Sequence, residues 1–164
     1  MCRDILISLH PEHTQSVLTG RKTVELRRRP LRVEPGTRVW IYTKQPRGCI
    51  EAVAVLGAVH EDTHDELWRR FGTQVAISRS AFDAYLAGTE RGYALEFASV
   101  SALSAAIDLE EIRSTVHCFH PPQFFKRLDP DGSEVALLSK RTIRRRVANT
   151  VDVRPSIPSG RVRR

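Results

Sequence analysis

Lys22, Glu25 and Arg27 are the residues whose types and spacing are best suited to chemistry in this sequence. They lie in or beside the stretch 23–29, whose alternating pattern predicts a half-buried strand, so Glu25 and Arg27 should share one face. The planar guanidinium of Arg27 can bind a phosphate or a base edge, and Lys22 offers a compact charge for a phosphate. Glu25 can orient Arg27 or accept a hydrogen bond from an exocyclic amine of a base. These residue types predict nucleotide recognition.

A second interpretation of the same residues is structural. On an exposed strand, Glu25 and Arg27 would form an ion pair that contributes less than about 1 kcal/mol to stability. The surrounding residues leave a binding surface open as well, because clustered arginines beside aromatic rings are typical of proteins that bind unpaired RNA. Trp40 shares a strand face with Tyr42 but is expected in the core. The other expected members of the surface are Arg21, Arg28, Tyr42, Lys44, Tyr85 and Gln123.

The elements that must position these residues are predicted from periodicity and turn signals. Alternating or continuous apolar runs predict strands over 5–9, 23–29, 37–43, 49–61, 92–103 and 120–128. Helical spacing of apolar residues, with Pro, Ser and Gly at the expected ends, predicts helices over 11–20, 62–72, 78–88 and 107–116. Helices inserted into a mainly β chain predict an α+β fold, a small β-barrel decorated by several helices.

Four segments resemble the ASCH domain family in order and spacing. They are Leu9-His10-Pro11-Glu12 with Leu18-Thr19-Gly20-Arg21-Lys22-Thr23-Val24-Glu25-Leu26-Arg27-Arg28, then Val39-Trp40-Ile41-Tyr42, then Ser78 to Gly88, and last Pro121-Pro122-Gln123-Phe124-Phe125, which is similar to a closing P-P-Q-S-F. The resemblance implies a PUA-like β-barrel with a cleft beside the first helix and the G-x-K-x-x-E-x-R strand. It also implies binding of RNA or another nucleic acid, including a modified nucleotide.

The resemblance leaves a hydrolase as the alternative function. Some small members resemble amidohydrolases of an acylated cytidine, and one a ribonuclease. In the amidohydrolase-like members a Thr nucleophile stands three residues after the signature Lys, where this sequence has Glu25. A carboxylate cannot replace an activated hydroxyl in acyl transfer, so binding rather than catalysis is expected. If the protein is an enzyme, Lys22 and Glu25 are the expected acid–base pair.

The net charge of +7 lies at the end of the chain. Residues 140–164 carry nine basic side chains and one acidic one, whereas the other 139 residues carry 17 basic and 18 acidic ones. We therefore predict a domain over 1–128 and a basic extension over 129–164 that is partly disordered or forms a short helix over 139–151 on RNA. Such an arm, with Arg144, Arg145 and Arg146 on it, would follow a polyanion; the alternative is a solvated end without a specific role.

Other classes of protein are disfavoured by composition and spacing. No apolar run approaches the length of a membrane span, and three scattered cysteines indicate a reducing cytoplasm rather than a disulfide framework. The pair His60 and His64 and the group His117, Cys118 and His120 lack the spacing of a metal site, and no cofactor motif is present, so neither metal nor cofactor is expected. A regulator whose basic tail docks on an acidic protein remains a further alternative.

Overall fold

The computed structural model describes residues 4–141 and the backbone of residues 143–148. Its strands are β1 (Asp4–Leu9), β2 (Val24–Arg27), β3 (Arg38–Thr43), β4 (Cys49–Asp62), β5 (Gly92–Asp108), β6 (Phe125–Arg127) and β7 (Ile143–Ala148). Its helices are α1 (Pro11–Leu18), α2 (His64–Phe71), α3 (Arg79–Leu86), α4 (Leu109–Thr115) and α5 (Ser133–Ser139). None of the helices described is long and apolar enough to cross a membrane.

The strands form one mixed sheet in the order β2-β5-β4-β3-β1-β6, with β7 also paired to β5. The sheet curls into a half-barrel, so the predicted α+β class with helices around a barrel is confirmed. β1 and β3 are parallel neighbours, joined by a crossover that contains α1 and β2. This crossover places the Lys22–Arg27 stretch at one edge of the sheet, paired to β5.

Alternation along the central strands separates two hydrophobic clusters. Ile5 and Ile7 of β1 pack with α1 in the first cluster, whereas Leu6 packs with Trp40 in the second. Trp40 is buried, as expected, and its indole Nε1 donates to Asp4 Oδ2 at 2.9 Å. Both faces of the sheet are therefore covered, because successive side chains of a strand point to opposite sides.

A third cluster fixes strand β2 against the helices that follow β4. Val24 and Leu26 of β2 pack against Leu67 of α2 and against Phe82 and Leu86 of α3. Helix α3 begins where the sequence predicts, since the Ser78 side chain accepts a hydrogen bond from the Ala81 amide. The apolar face of β2 is thus committed to the core, and its polar face is left for the site.

The C-terminal part differs from the prediction. Leu137 and Leu138 of α5 are buried in the second cluster, and residues 143–148 form strand β7 where a helix over 139–151 was predicted. The strand pairs antiparallel with β5, from Ile143 opposite Leu103 to Ala148 opposite Ser99. The spacing of Ile143 and Val147 suggested a helix, but backbone pairing with β5 decides the structure of this segment. β7 instead satisfies backbone groups on an edge of β5.

Candidate nucleic-acid interface

A cleft of about 860 Å³ opens between α1, β2, α3 and the segment that precedes β6. Its volume lies within the range of small-molecule and cofactor sites in proteins. The predicted site residues that line it are Lys22, Glu25, Arg27, Arg28, Lys44, Tyr85 and Gln123. The fold therefore brings together residues from four separate parts of the chain.

The end of α1 positions Lys22. Gly20 adopts a left-handed backbone with φ +76°, and the chain reverses so that the Lys22 amide donates to Ser16 O at 2.9 Å. The ammonium is then carried inward, where Nζ donates to Val75 O at 2.9 Å and lies 3.1 Å from Glu25 Oε2. Lys22 is only 3% exposed, and these two partners compensate for the loss of water around its charge.

Glu25 joins Lys22 to Arg27. Its Oε1 lies 3.4 Å from Arg27 Nη2, and the Glu25 side chain is 9% exposed. Burial raises the pKa of the Glu25 carboxyl, but the nearby charges of Lys22 and Arg27 outweigh burial and bring the pKa below its ordinary value. Glu25 and Arg27 do lie within ion-pair distance, as in our second interpretation, but strand β2 is buried rather than exposed.

Arg27 has side-chain donors without a hydrogen-bond partner. Its Nη1 donates a long hydrogen bond of 3.4 Å to Phe124 O, and no hydrogen-bond partner is present for its Nε and Nη2. Nη2 lies within ion-pair distance of Glu25, but it is not aligned for a hydrogen bond. A buried guanidinium with unpaired donors at a cleft wall is suited to bind an anionic or polar ligand.

The rim of the cleft is held by contacts to the backbone. The Tyr85 hydroxyl donates to Leu26 O at 3.2 Å, and Arg28 Nη2 donates to Ala87 O at 2.8 Å, so both α3 and its end are tied to β2. The Lys44 amide donates to Leu9 O at 2.8 Å. Gln123 is exposed and lines the cleft.

Two predicted site residues do not reach the cleft. Arg21 is exposed and is not among the residues that line the cleft. Tyr42 is buried in the second cluster, with its ring 6.5 Å from that of Phe119, and its predicted ligand contact is wrong. The cause is alternation on β3, which gives Tyr42 the face of Trp40 that α4 and α5 cover. The side chains of Arg144, Arg145 and Arg146 lie outside the described residues.

Several lining residues had no role in the sequence analysis, among them His10, His13 and Phe124. His10 and His13 are three apart at the start of α1, a spacing that places residues on one helix face and that was visible in the sequence. Burial, followed by the charge of Lys22, lowers the pKa of His13 below its ordinary value. Phe124 stands where the resembled motif has Ser, and nothing in its local pattern marks it as exposed.

Three histidines outside the cleft have other partners. His60 Nε2 lies 2.9 Å from Glu96 Oε2, and His64 Nε2 lies 3.0 Å from the Thr89 hydroxyl. His120 Nδ1 lies 2.9 Å from Cys118 O. Within residues 4–141, no three His, Cys, Asp or Glu side chains come together as a set that could hold a metal ion.

The curled sheet, with α1 and a cleft against strand β2, defines the PUA-like class of domain. Within that class the chain belongs to the ASCH family, since the ASCH domain model matches residues 7–116. An ASCH domain-containing ribonuclease of Zymomonas mobilis is 31% identical over 121 residues, which cover 74% of this chain and 81% of the relative.

Solved structures agree with this assignment. The crystal structure of ASCH from Zymomonas mobilis superposes with a TM-score of 0.81 and 28% identity, covering 87% of this chain and 98% of that one. The N-terminal domain of Staphylothermus marinus McrB shares the fold alone, with a TM-score of 0.55, 13% identity, and coverage of 85% of this chain and 95% of that one.

Proposed function

We propose that the protein binds RNA and that the cleft receives a single nucleotide. The observation that carries the proposal is Arg27, a nearly buried guanidinium at the cleft wall with donors that no protein group uses. The relative named a ribonuclease supports RNA as the class of ligand. A cleft beside the G-x-K-x-x-E-x-R strand also agrees with what the family resemblance implies.

The charge of the cleft supports an anionic ligand. Its lining includes two carboxylates, Glu12 and Glu25, and Glu25 is already paired with Lys22. Five basic side chains outnumber them, namely Lys22, Arg27, Arg28, Arg29 and Lys44. Because basic side chains near a phosphate contribute affinity without reading sequence, Arg28, Arg29 and Lys44 are the proposed phosphate contacts. Arg27, deeper in the cleft, is the proposed contact to the base or its modification.

The test is the substitution Arg27→Ala with Arg69→Ala as its matched control. Both remove one positive charge, but Arg69 is an exposed residue of α2 outside the cleft. A charge-assisted hydrogen bond contributes roughly 1.5–3 kcal/mol, so Arg27→Ala should weaken binding of a short single-stranded RNA by about 10- to 100-fold. Fluorescence anisotropy at low salt measures both affinities, and equal affinities for the two variants would reject the cleft as the site.

A second candidate function, RNA cleavage, is favoured by the relative that is named a ribonuclease. In this reaction the ribose 2′-oxygen loses its proton and attacks the neighbouring phosphorus, while the 5′-oxygen leaves and takes up a proton. Glu25 is a weak candidate for the base, because its lowered pKa and its pairing with Lys22 stabilise the carboxylate. His13 is better suited, since its lowered pKa keeps the imidazole neutral near pH 7.

Cleavage is tested with an RNA oligonucleotide and a matched one that carries a single 2′-deoxy position. Cleavage that requires the 2′-hydroxyl and falls at least 100-fold in His13→Ala, with RNA affinity retained, would support this candidate. If the wild-type protein binds RNA but leaves it intact over hours, the candidate is rejected and binding alone remains.

A further inference from the structure

The rim of the cleft carries two exposed aromatic rings in addition to its basic side chains. Among residues 4–141, the large hydrophobic side chains that remain exposed are Phe124 at 49% and Tyr85 at 39%. Both line the cleft, although they are 39 residues apart in sequence and belong to different elements. Exposed aromatic rings that share one concave surface indicate a binding surface, whereas scattered ones do not.

Both rings are held in place before any ligand arrives. The Tyr85 hydroxyl donates to Leu26 O, which anchors the ring to the backbone of β2. The guanidinium of Arg29 lies 4.4 Å from the centroid of the Phe124 ring, a cation–π contact over one face. Rings that are already positioned lose little conformational freedom on binding, so they suit a flat partner.

We infer that Phe124 and Tyr85 form a stacking platform for an unpaired base, so that the cleft selects single-stranded over double-stranded RNA. The inference deepens the proposed function and rests on it. Arg28 and Arg29 lie in the same lining as the rings, and this juxtaposition of cations and aromatic faces matches the phosphates and bases of one strand. In a duplex the bases are paired and stacked inside, where protruding side chains on this rim cannot reach their faces.

The platform is tested by replacing each ring with an aliphatic side chain. Phe124→Leu and Tyr85→Leu are compared with Tyr93→Leu, a partly buried tyrosine on β5 outside the cleft. The probes are a single-stranded RNA that contains 2-aminopurine, the same RNA in duplex form, and the single strand with one abasic position. Stacking on an aromatic ring should quench the 2-aminopurine fluorescence and should account for roughly a tenfold change in Kd per ring.

We expect wild type and Tyr93→Leu to quench the single strand and to prefer it over the duplex. Phe124→Leu and Tyr85→Leu should lose the quenching and bind about tenfold more weakly. Thermal unfolding checks that the variants fold. Wild-type binding with unchanged affinity and quenching in both variants would overturn the platform and leave the proposed function standing. No binding of any RNA by wild type would overturn both.

Discussion

At the residue scale, Glu25 is the link between two cations that the fold buries. Its carboxylate lies 3.1 Å from Lys22 Nζ and 3.4 Å from Arg27 Nη2. Removing one partner of a buried pair leaves an uncompensated charge, whose cost exceeds the net contribution of the pair itself. Removing one charge from the group Lys22, Glu25 and Arg27 should therefore destabilise the protein by more than the intact ion pairs stabilise it.

We predict that Glu25→Gln lowers the free energy of unfolding by about 3–5 kcal/mol, because it leaves Lys22 buried without a counter-charge. Denaturant titration measures the loss. The double variant Lys22→Met with Glu25→Gln should recover much of it, since the lysine charge is then gone too. A single variant as stable as wild type would show that water already solvates Lys22.

The pH dependence of the stability of Glu25→Gln is a second measurement. The pKa of Glu25 is lower in the folded protein than its ordinary value of 4.5, so the unfolded chain binds this proton at a higher pH. The contribution of the carboxylate is thus complete above pH 4.5 and is lost as the pH falls through the folded pKa. Glu25→Gln should flatten the acid limb of the stability profile, and an unchanged limb would contradict the assignment.

The polar residues of the site could be predicted only in part. Glu25 and Arg27 share a face because they are two residues apart, and this much follows from strand geometry. That the face is buried does not follow, because it depends on Phe124, whose carbonyl contacts Arg27 from 97 residues away. For Tyr42 a ligand contact was predicted and a core position was found. An aromatic residue beside a turn is compatible with either, and the packing of α4 and α5 decides for the core.

At the scale of elements, the turn between α1 and β2 sets the geometry of the site. Gly20→Ala should cost about 1 kcal/mol, because an L side chain is strained at φ +76°. It should also weaken RNA binding, since the turn carries Lys22 inward. Gly36→Ala is the matched control, because Gly36 has φ +86° and lies outside the cleft lining.

Chemical denaturation and RNA titration of both glycine variants distinguish backbone strain at the glycine from the positioning of Lys22. Comparable losses of stability are expected in the two, with RNA affinity reduced only in Gly20→Ala. If both keep wild-type affinity, the turn is not what orders the cleft.

The same scale explains which elements could be predicted. β1 and β3 are predicted by their apolar and β-branched residues, and α3 is predicted by its Ser78 cap. β7 could not be predicted, because a short basic stretch with two apolar residues gains its structure from β5 rather than from its own pattern. Local signals therefore sufficed for these elements, whereas α5, which buries Leu137 and Leu138 in the second cluster, lies in the stretch predicted as a basic extension.

At the scale of the molecule, charge beyond Ala148 should add salt-sensitive affinity. A chain that ends at Ala148 keeps β7 but lacks Arg154, Arg161, Arg163 and Arg164. With single-stranded RNA, the slope of log K against log salt should become shallower by as much as about 3, since each phosphate contact contributes roughly 0.7. A full-length variant with these four arginines changed to Gln should behave like the truncated chain, and slopes equal to wild type would exclude the tail from binding.

The pairing of β5 has a consequence for how such a tail would act. β2 and β7 lie along the same edge of β5, with Val24 opposite Glu96 and Ala148 opposite Ser99. Glu96 and Ser99 are three positions apart along β5, which corresponds to about 10 Å. β7 runs toward β2, the strand that carries Glu25 and Arg27, so a basic segment joined to Ala148 would start near this strand and have a high effective concentration there. Two weak contacts to one RNA strand, one from each side of this short gap, would then bind as a single bivalent unit.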